Sequence, residues 1–175
     1  MTFARQPAKQ EDFTDINQDI ANVLELVKNN LLTKKVDLDM RLGKGLPRVR
    51  GDAGELQQVF LNLINNAAAA MPNGGKLTVI TKTNPYNHMV EVIVADTGTG
   101  IPQKYADPIF VPFFTTKKVG EGTGLGLAVS YAIVNKYGGA IRFESRAAED
   151  GAEGGTGTTF FVDLQPEYAA APAKA

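Results

Sequence analysis

Apolar residues along this chain follow two periods in turn, and the changes of period mark out the elements. Beginning at Asp15, Ile16, Ile20, Leu24, Val27 and Leu31 recur at three- and four-residue spacing, the stripe of an amphipathic helix. Val36 to Leu42 then alternates Val, Leu, Met and Leu with Asp, Asp and Arg, which predicts a half-buried strand. Gly43, Gly45 and Pro47 break it, and Arg48 to Arg50 is a candidate short partner strand. Asp52 opens a second helix, with Glu55 three residues on in the capping-box arrangement. Its body puts Leu56, Phe60, Leu63, Ala67 and Ala70 on one face, and Pro72-Asn-Gly-Gly75 ends it. Lys76–Thr83 and Val90–Ala95 read as a hairpin around the turn-rich Asn84–His88. The second of these strands is nearly all apolar, as a central strand is, and it delivers Asp96 at its end.

Between Ile101 and Gly122 the pattern lapses, with at most a short helix near Pro102–Tyr105. A loop that long inside a compact domain is a functional or mobile segment. Leu125–Tyr137 is a third helix, closed by Gly138-Gly139, and Ala140–Arg146 and Thr158–Leu164 are strands joined by an acidic, glycine-rich connection. The polar N-terminal residues 1–14 read as a linker, residues 15–165 as the domain, and Pro166–Ala175, without periodicity, as a disordered tail. This order predicts an α/β fold, a two-layer α/β sandwich in which a mixed sheet carries its helices on one face.

Composition narrows the function. The 175 residues, 43% of them hydrophobic, suffice for the core of one domain. Eighteen basic against nineteen acidic residues leave a formal charge of −1, so nothing points to nucleic acid or an anionic membrane as partner. One histidine and no cysteine exclude a zinc or iron site; any metal would be a hard cation held by oxygens. No apolar run approaches the ~20 residues of a membrane span, and no signal-peptide core is present.

The candidate chemistry lies mostly between Asp96 and Leu127. Asp96 precedes Thr-Gly-Thr-Gly: either the first position of a β-turn, or a fixed acceptor for an exocyclic amine such as that of adenine, with Gly98 and Gly100 letting backbone lie against the base. Gly120-x-Gly-x-Gly-x-Gly126 running into a helix is either a hinge or an anion site made of free amides at a positive helix end. Lys117 and Lys118 precede that run, as phosphate partners or as solvated loop charges. Phe110, Phe113 and Phe114 suit a hydrophobic latch for the loop better than base stacking. On the second helix, Asn62 and Asn66 share the face opposite the apolar stripe. That face is either solvated or the place where Asn66 offers a neutral oxygen to Mg²⁺. His88, in a turn, is incidental.

Taken together, these blocks resemble the catalytic, ATP-binding domain of sensor histidine kinases, of the superfamily shared with type II topoisomerases and MutL proteins. Gln58–Ala67 is similar to the N box, Asp96–Ile101 to the first glycine box, Pro112–Lys117 to the F box and Gly122–Leu127 to the second glycine box. The wording Asn-Ala-Ala-Ala-Ala-Met and Pro-Phe-Phe-Thr-Thr-Lys is most like the nitrogen-regulation subgroup. The resemblance implies a Bergerat-type ATP-binding fold, ATP and Mg²⁺ as ligands, Asn62 and Asn66 as the catalytic positions, and Asn66 on the metal. It places Asp96, Gly98, Gly100, Ile101 and Thr158 about the base and Gly122, Thr123, Gly124, Leu125 and Gly126 about the phosphates, under a lid at about residues 107–123. Ala69 stands where many such kinases carry a basic residue, which leaves the phosphate charge to Lys117 or Lys118. Val111 stands where the subgroup commonly has Glu.

In hydrolytic relatives the position of Asn62 is a Glu serving as base toward water. Asn cannot activate water, so the resemblance implies transfer to a histidine rather than hydrolysis. That acceptor would lie on a dimerising hairpin upstream, whose last turn Thr2–Arg5 resembles. The chain is then expected to be the monomeric nucleotide-binding part of a homodimeric, cytoplasmic or membrane-anchored kinase with a cognate response regulator. An ATPase switch and a non-catalytic nucleotide-binding module are the alternatives.

Overall fold

The structure, a computed structural model, describes residues 12–167. Its first helix, α1, spans Ile16–Thr33, with Asp15 accepting from the Gln18 amide at 3.2 Å as its cap. The stripe anticipated from spacing is the buried one: Ile16, Ile20, Leu24, Val27 and Leu31 are all buried. The second, α2 (Ala53–Ala69), is capped by Asp52, whose side chain accepts from the Glu55 amide at 2.9 Å. The third, α3, spans Gly126–Lys136.

Among the described residues seven strands accompany them. β1 (Phe13–Thr14) pairs antiparallel with β3 (Val49–Arg50) as a separate two-stranded sheet. The main sheet holds β2 (Val36–Leu42), β4 (Gly75–Thr83), β5 (Val90–Asp96), β6 (Ala140–Arg146) and β7 (Gly157–Leu164) in the order β2-β4-β5-β7-β6. Only β2 and β4 run parallel, so the sheet is mixed as expected. Its helix-facing positions, among them Leu77, Val79, Val92, Val94, Phe160 and Val162, are buried, whereas Lys82, Arg142 and Glu144 alternate onto an open face. A two-layer sandwich results.

Three expectations change. Residues 12–14 are not linker: the Gly51 amide donates to the Asp12 carbonyl at 2.8 Å, and β1 takes β3 as its partner, which is not a partner of β2. Pro166 and Glu167 are not tail: Pro166 bridges to Val49, the Glu167 amide donates to the Arg48 carbonyl at 2.8 Å, and their side chains form an ion pair. Residues 1–11 and 168–175, with the hairpin remnant and the remaining tail, lie outside the described residues. β2 is less buried than its alternation suggests, because it is an edge strand; Leu38 and Met40 are 43% and 50% exposed. No helix among the described residues is long and apolar enough to cross a membrane.

Two clamps fix α3 against α2. At one end Glu55 accepts from the Lys136 ammonium at 2.9 Å and from the Tyr137 hydroxyl. At the other, the Asn62 side chain donates to the Gly126 carbonyl at 3.0 Å and to Ser130 Oγ at 3.3 Å. The helices therefore run antiparallel, and the start of α3 is held above the middle of α2.

Candidate functional site

A cavity of about 490 Å³ opens between α2, the ends of β5 and β7, and the loop leading to α3. That is the size of an ordinary small-ligand site. Asp96 lies at one end, brought there by β5 as its strand pattern requires. One carboxylate oxygen, Oδ1, accepts from the Gly98 amide at 2.8 Å and the Thr158 amide at 3.2 Å. The other has no partner among the described residues, and the residue lines the cavity. Burial raises the Asp96 pKa above the usual aspartate range, and the two backbone donors offset part of the rise.

The loop after Asp96 is wedged from both sides. The Thr99 amide donates to the Ala70 carbonyl at 3.0 Å, and the Thr156 hydroxyl donates to the Gly98 carbonyl at 2.6 Å. Gly100 has φ +74°, and a Cβ there would collide with the Arg146 carbonyl, so only glycine fits.

At the other end of the cavity α3 begins. The first-turn amides of a helix have no intrahelical acceptor, and no side chain caps those of α3. They and the dipole behind them make that end receptive to anions. Thr123 Oγ1 instead accepts from the Leu125 amide at 3.3 Å, shaping the turn just before the helix. Gly124 (φ +68°) donates no side chain to the space taken by Phe113, whose amide bonds the Gly124 carbonyl at 2.8 Å. That backbone pair closes the base of the intervening loop. Phe113 itself has φ +66° and is 75% exposed.

The two asparagines differ in what they have free. Asn62 spends its amide nitrogen on Gly126 and Ser130 and its oxygen on Gln58 Nε2 at 3.0 Å. Asn66 lines the same cavity, and its side chain has no hydrogen-bond partner among the described residues. Asn62 is thus engaged in holding the start of α3, whereas the Asn66 amide has no such bond and stays open to the cavity.

Of the residues singled out from sequence, Asn62, Asn66, Asp96, Gly100, Ile101, Lys117, Gly122, Thr123, Gly124, Gly126 and Thr158 line the cavity. Gly98, Lys118 and Leu125 are not on its wall: Gly98 packs under the loop against Ala70, and Lys118 is exposed. The aromatic latch divides. Phe110 packs on Tyr131 and Phe143 at 5.2 and 6.1 Å and Ile109 is buried, so Asp107–Phe110 is anchored in the fold. Phe114 meets Tyr105 across 5.7 Å at the cavity. Sequence reasoning missed Tyr105, Ile109 and Phe160 as wall residues. Phe160 was legible, since it shares the alternating face of Thr158; Tyr105 sits in a 3₁₀ turn with no periodic signal.

The raised Asp96 pKa gives a pH dependence of definite sign. Protonation turns the free oxygen into a donor, so affinity for an uncharged ligand that offers it an amine, adenosine being the one that the sequence resemblance implies, is expected to fall on acidification at pH values above those at which ordinary aspartates protonate. The group's contribution to stability moves the other way: a pKa raised in the folded state favours folding as pH falls through it. Calorimetric titration with adenosine at a series of pH values, beside melting curves, checks this; affinity constant across the mildly acidic range contradicts it.

Comparison with known proteins finds relatives of the domain as a whole. The family model for the histidine kinase-, DNA gyrase B-, and HSP90-like ATPase matches residues 51–167. The sensor kinase CckA of Brucella abortus (strain 2308) is 37% identical over 177 aligned positions, covering 94% of this chain and 18% of that protein. The catalytic domain of histidine kinase ThkA superposes with a TM-score of 0.73 at 30% identity, over 89% of this chain and 96% of that one. Full-length ShkA in complex with AMPPNP does so with a TM-score of 0.75 at 27% identity, over 98% of this chain and 34% of that one. The chain thus spans a minor part of the length of CckA and ShkA.

Proposed function

The chain belongs to the histidine kinase-, DNA gyrase B-, and HSP90-like ATPase family, and from that premise we propose that it binds Mg-ATP in this cavity and hands the γ-phosphoryl group to a histidine on a separate helical hairpin. The reading makes it the nucleotide-binding part of a two-component kinase whose phosphoryl group passes on to a response regulator. One observation carries it: a single cavity has a free carboxylate oxygen at one end and an uncapped helix start at the other. The first suits an adenine amine and the second a chain of phosphates.

Each residue then has a part. Asp96 accepts from the exocyclic amine, with its second oxygen pinned by backbone so that the acceptor does not swing. The amides at the start of α3 face the phosphates, and Lys117 adds a positive charge on the same wall. Magnesium suits the donors present: Asn66 supplies one neutral oxygen, and no group of three His, Cys, Asp or Glu among the described residues could hold a metal unaided. Such an ion would share phosphate oxygens and neutralise charge on the transferring group. Asn62 holds α3 in place and lacks the basicity to activate water. That favours transfer to an imidazole, which attacks through its own lone pair, over the hydrolytic switch of other family members.

The test is phosphotransfer from labelled ATP. The isolated chain is expected to bind Mg-ATP with negligible turnover and to label a histidine once a hairpin of the parent kinase is supplied. Sustained ATP hydrolysis by the chain alone would favour the ATPase switch, and binding without any histidine labelling would favour a nucleotide-binding module.

A further inference from the structure

Ser145, on β6, is not on the cavity wall, yet its hydroxyl joins three pieces of backbone and side chain that are next to it. Ser145 Oγ accepts from the Ile101 amide at 2.7 Å, donates to the Gly157 carbonyl at 3.1 Å, and lies 2.7 Å from Thr158 Oγ1. A hydroxyl has one proton and two lone pairs. The Ile101 amide can only donate, so it occupies one lone pair. The Gly157 carbonyl can only accept, so it takes the proton. All three contacts are hydrogen bonds at once only if Thr158 fills the remaining lone pair with its own proton. The reverse arrangement would set two acceptors, Ser145 Oγ and the Gly157 oxygen, against each other.

This accounting fixes what Thr158 shows to the cavity it lines. With its proton turned toward Ser145, Thr158 Oγ1 keeps only lone pairs to offer, on a residue that lines the cavity and pairs across the sheet with Asp96. Two neighbouring acceptors attract an exocyclic amine and repel a ring carbonyl at the same place. A purine with oxygen in place of the amine would be welcome only if the Thr158 proton were free to turn inward. We propose that Ser145 is a specificity-determining, positioning residue: it touches no nucleotide, and by holding the Thr158 proton out of the cavity it makes the site reject 6-oxopurines. The inference rests on the base lying at Asp96, as proposed above.

The experiment compares affinities for Mg-ATP and Mg-ITP by calorimetry on this chain. The two differ at the 6-substituent and, with it, at N1, an acceptor in adenine and an N–H donor in hypoxanthine. That second difference is common to wild type and variants and cancels when their ATP-to-ITP ratios are compared. Wild type is expected to prefer ATP. Ser145→Ala is expected to shrink the ATP-to-ITP preference roughly tenfold, about the scale of one hydrogen bond reversed in sign. Ser145→Thr keeps a hydroxyl and is expected to restore it. In a Thr158→Val background Ser145→Ala should leave the ratio unchanged, because no proton remains to be turned; such a cycle isolates the pair. A Ser145→Ala chain that melts earlier but keeps the full preference would overturn this inference while leaving the base assignment intact. A wild type that binds both nucleotides equally would overturn the base assignment and this inference with it.

Discussion

Asp96→Ala is expected to weaken Mg-ATP binding by roughly a hundredfold or more, the scale of losing a charged acceptor and stranding the donors around it. Two losses combine. The adenine amine forfeits its acceptor, and the Gly98 and Thr158 amides, which both bond Oδ1, are left without one. Because the second loss could loosen the loop, Asp96→Asn separates the two. Its amide oxygen can still take both backbone donors, which turns the NH₂ group toward the base, where donor would face donor. The asparagine variant should therefore melt no earlier than wild type, bind ATP poorly and gain relative affinity for ITP. Calorimetry and thermal denaturation on both variants check this; wild-type ATP affinity in either would remove Asp96 from base recognition.

Asn66→Ala is expected to lower Mg-ATP affinity by roughly ten- to hundredfold, the scale seen when a group supporting a metal site is removed. In EDTA the affinity for ATP should scarcely change. The contrast follows from the side chain's freedom: Asn66 supports no other group among the described residues, so removing it costs the ligand and not the fold. Asn62→Ala has the opposite signature, since it breaks the clamp on Gly126 and Ser130 and so loosens α3 whether or not magnesium is present. Titrations with and without magnesium distinguish them. An equal loss for Asn66→Ala under both conditions would show that it acts on nucleotide or fold and not through the metal.

Much of this was readable from the chain because the informative signals are local. The α1 stripe, the Asp15 and Asp52 caps and the hairpin that ends in Asp96 are each specified within a few residues of themselves. What escaped was set by partners distant in sequence. Two-residue strands such as Phe13–Thr14 carry no period, and β1 exists only because β3 pairs with it and the Gly51 amide bonds the Asp12 carbonyl just before it. Placing β7 between β5 and β6 decides which side chains stand beside Asp96, and no spacing within β7 states it. Ser145 shows the same limit: an ordinary serine on a short strand until the fold sets it against Ile101 and Thr158. Lys118 shows the converse. Adjacent lysines look equivalent in sequence, and the turn in which the Lys117 amide bonds Thr115 Oγ1 at 3.1 Å brings only Lys117 to the cavity wall.

The most direct test is a crystal structure of this chain with magnesium and a non-hydrolysable ATP analogue. The account predicts the adenine amine within hydrogen-bond distance of the free Asp96 oxygen, the phosphates over the first turn of α3, and the Asn66 oxygen on the metal. Nucleotide bound elsewhere, or with its base turned away from Asp96, would contradict it.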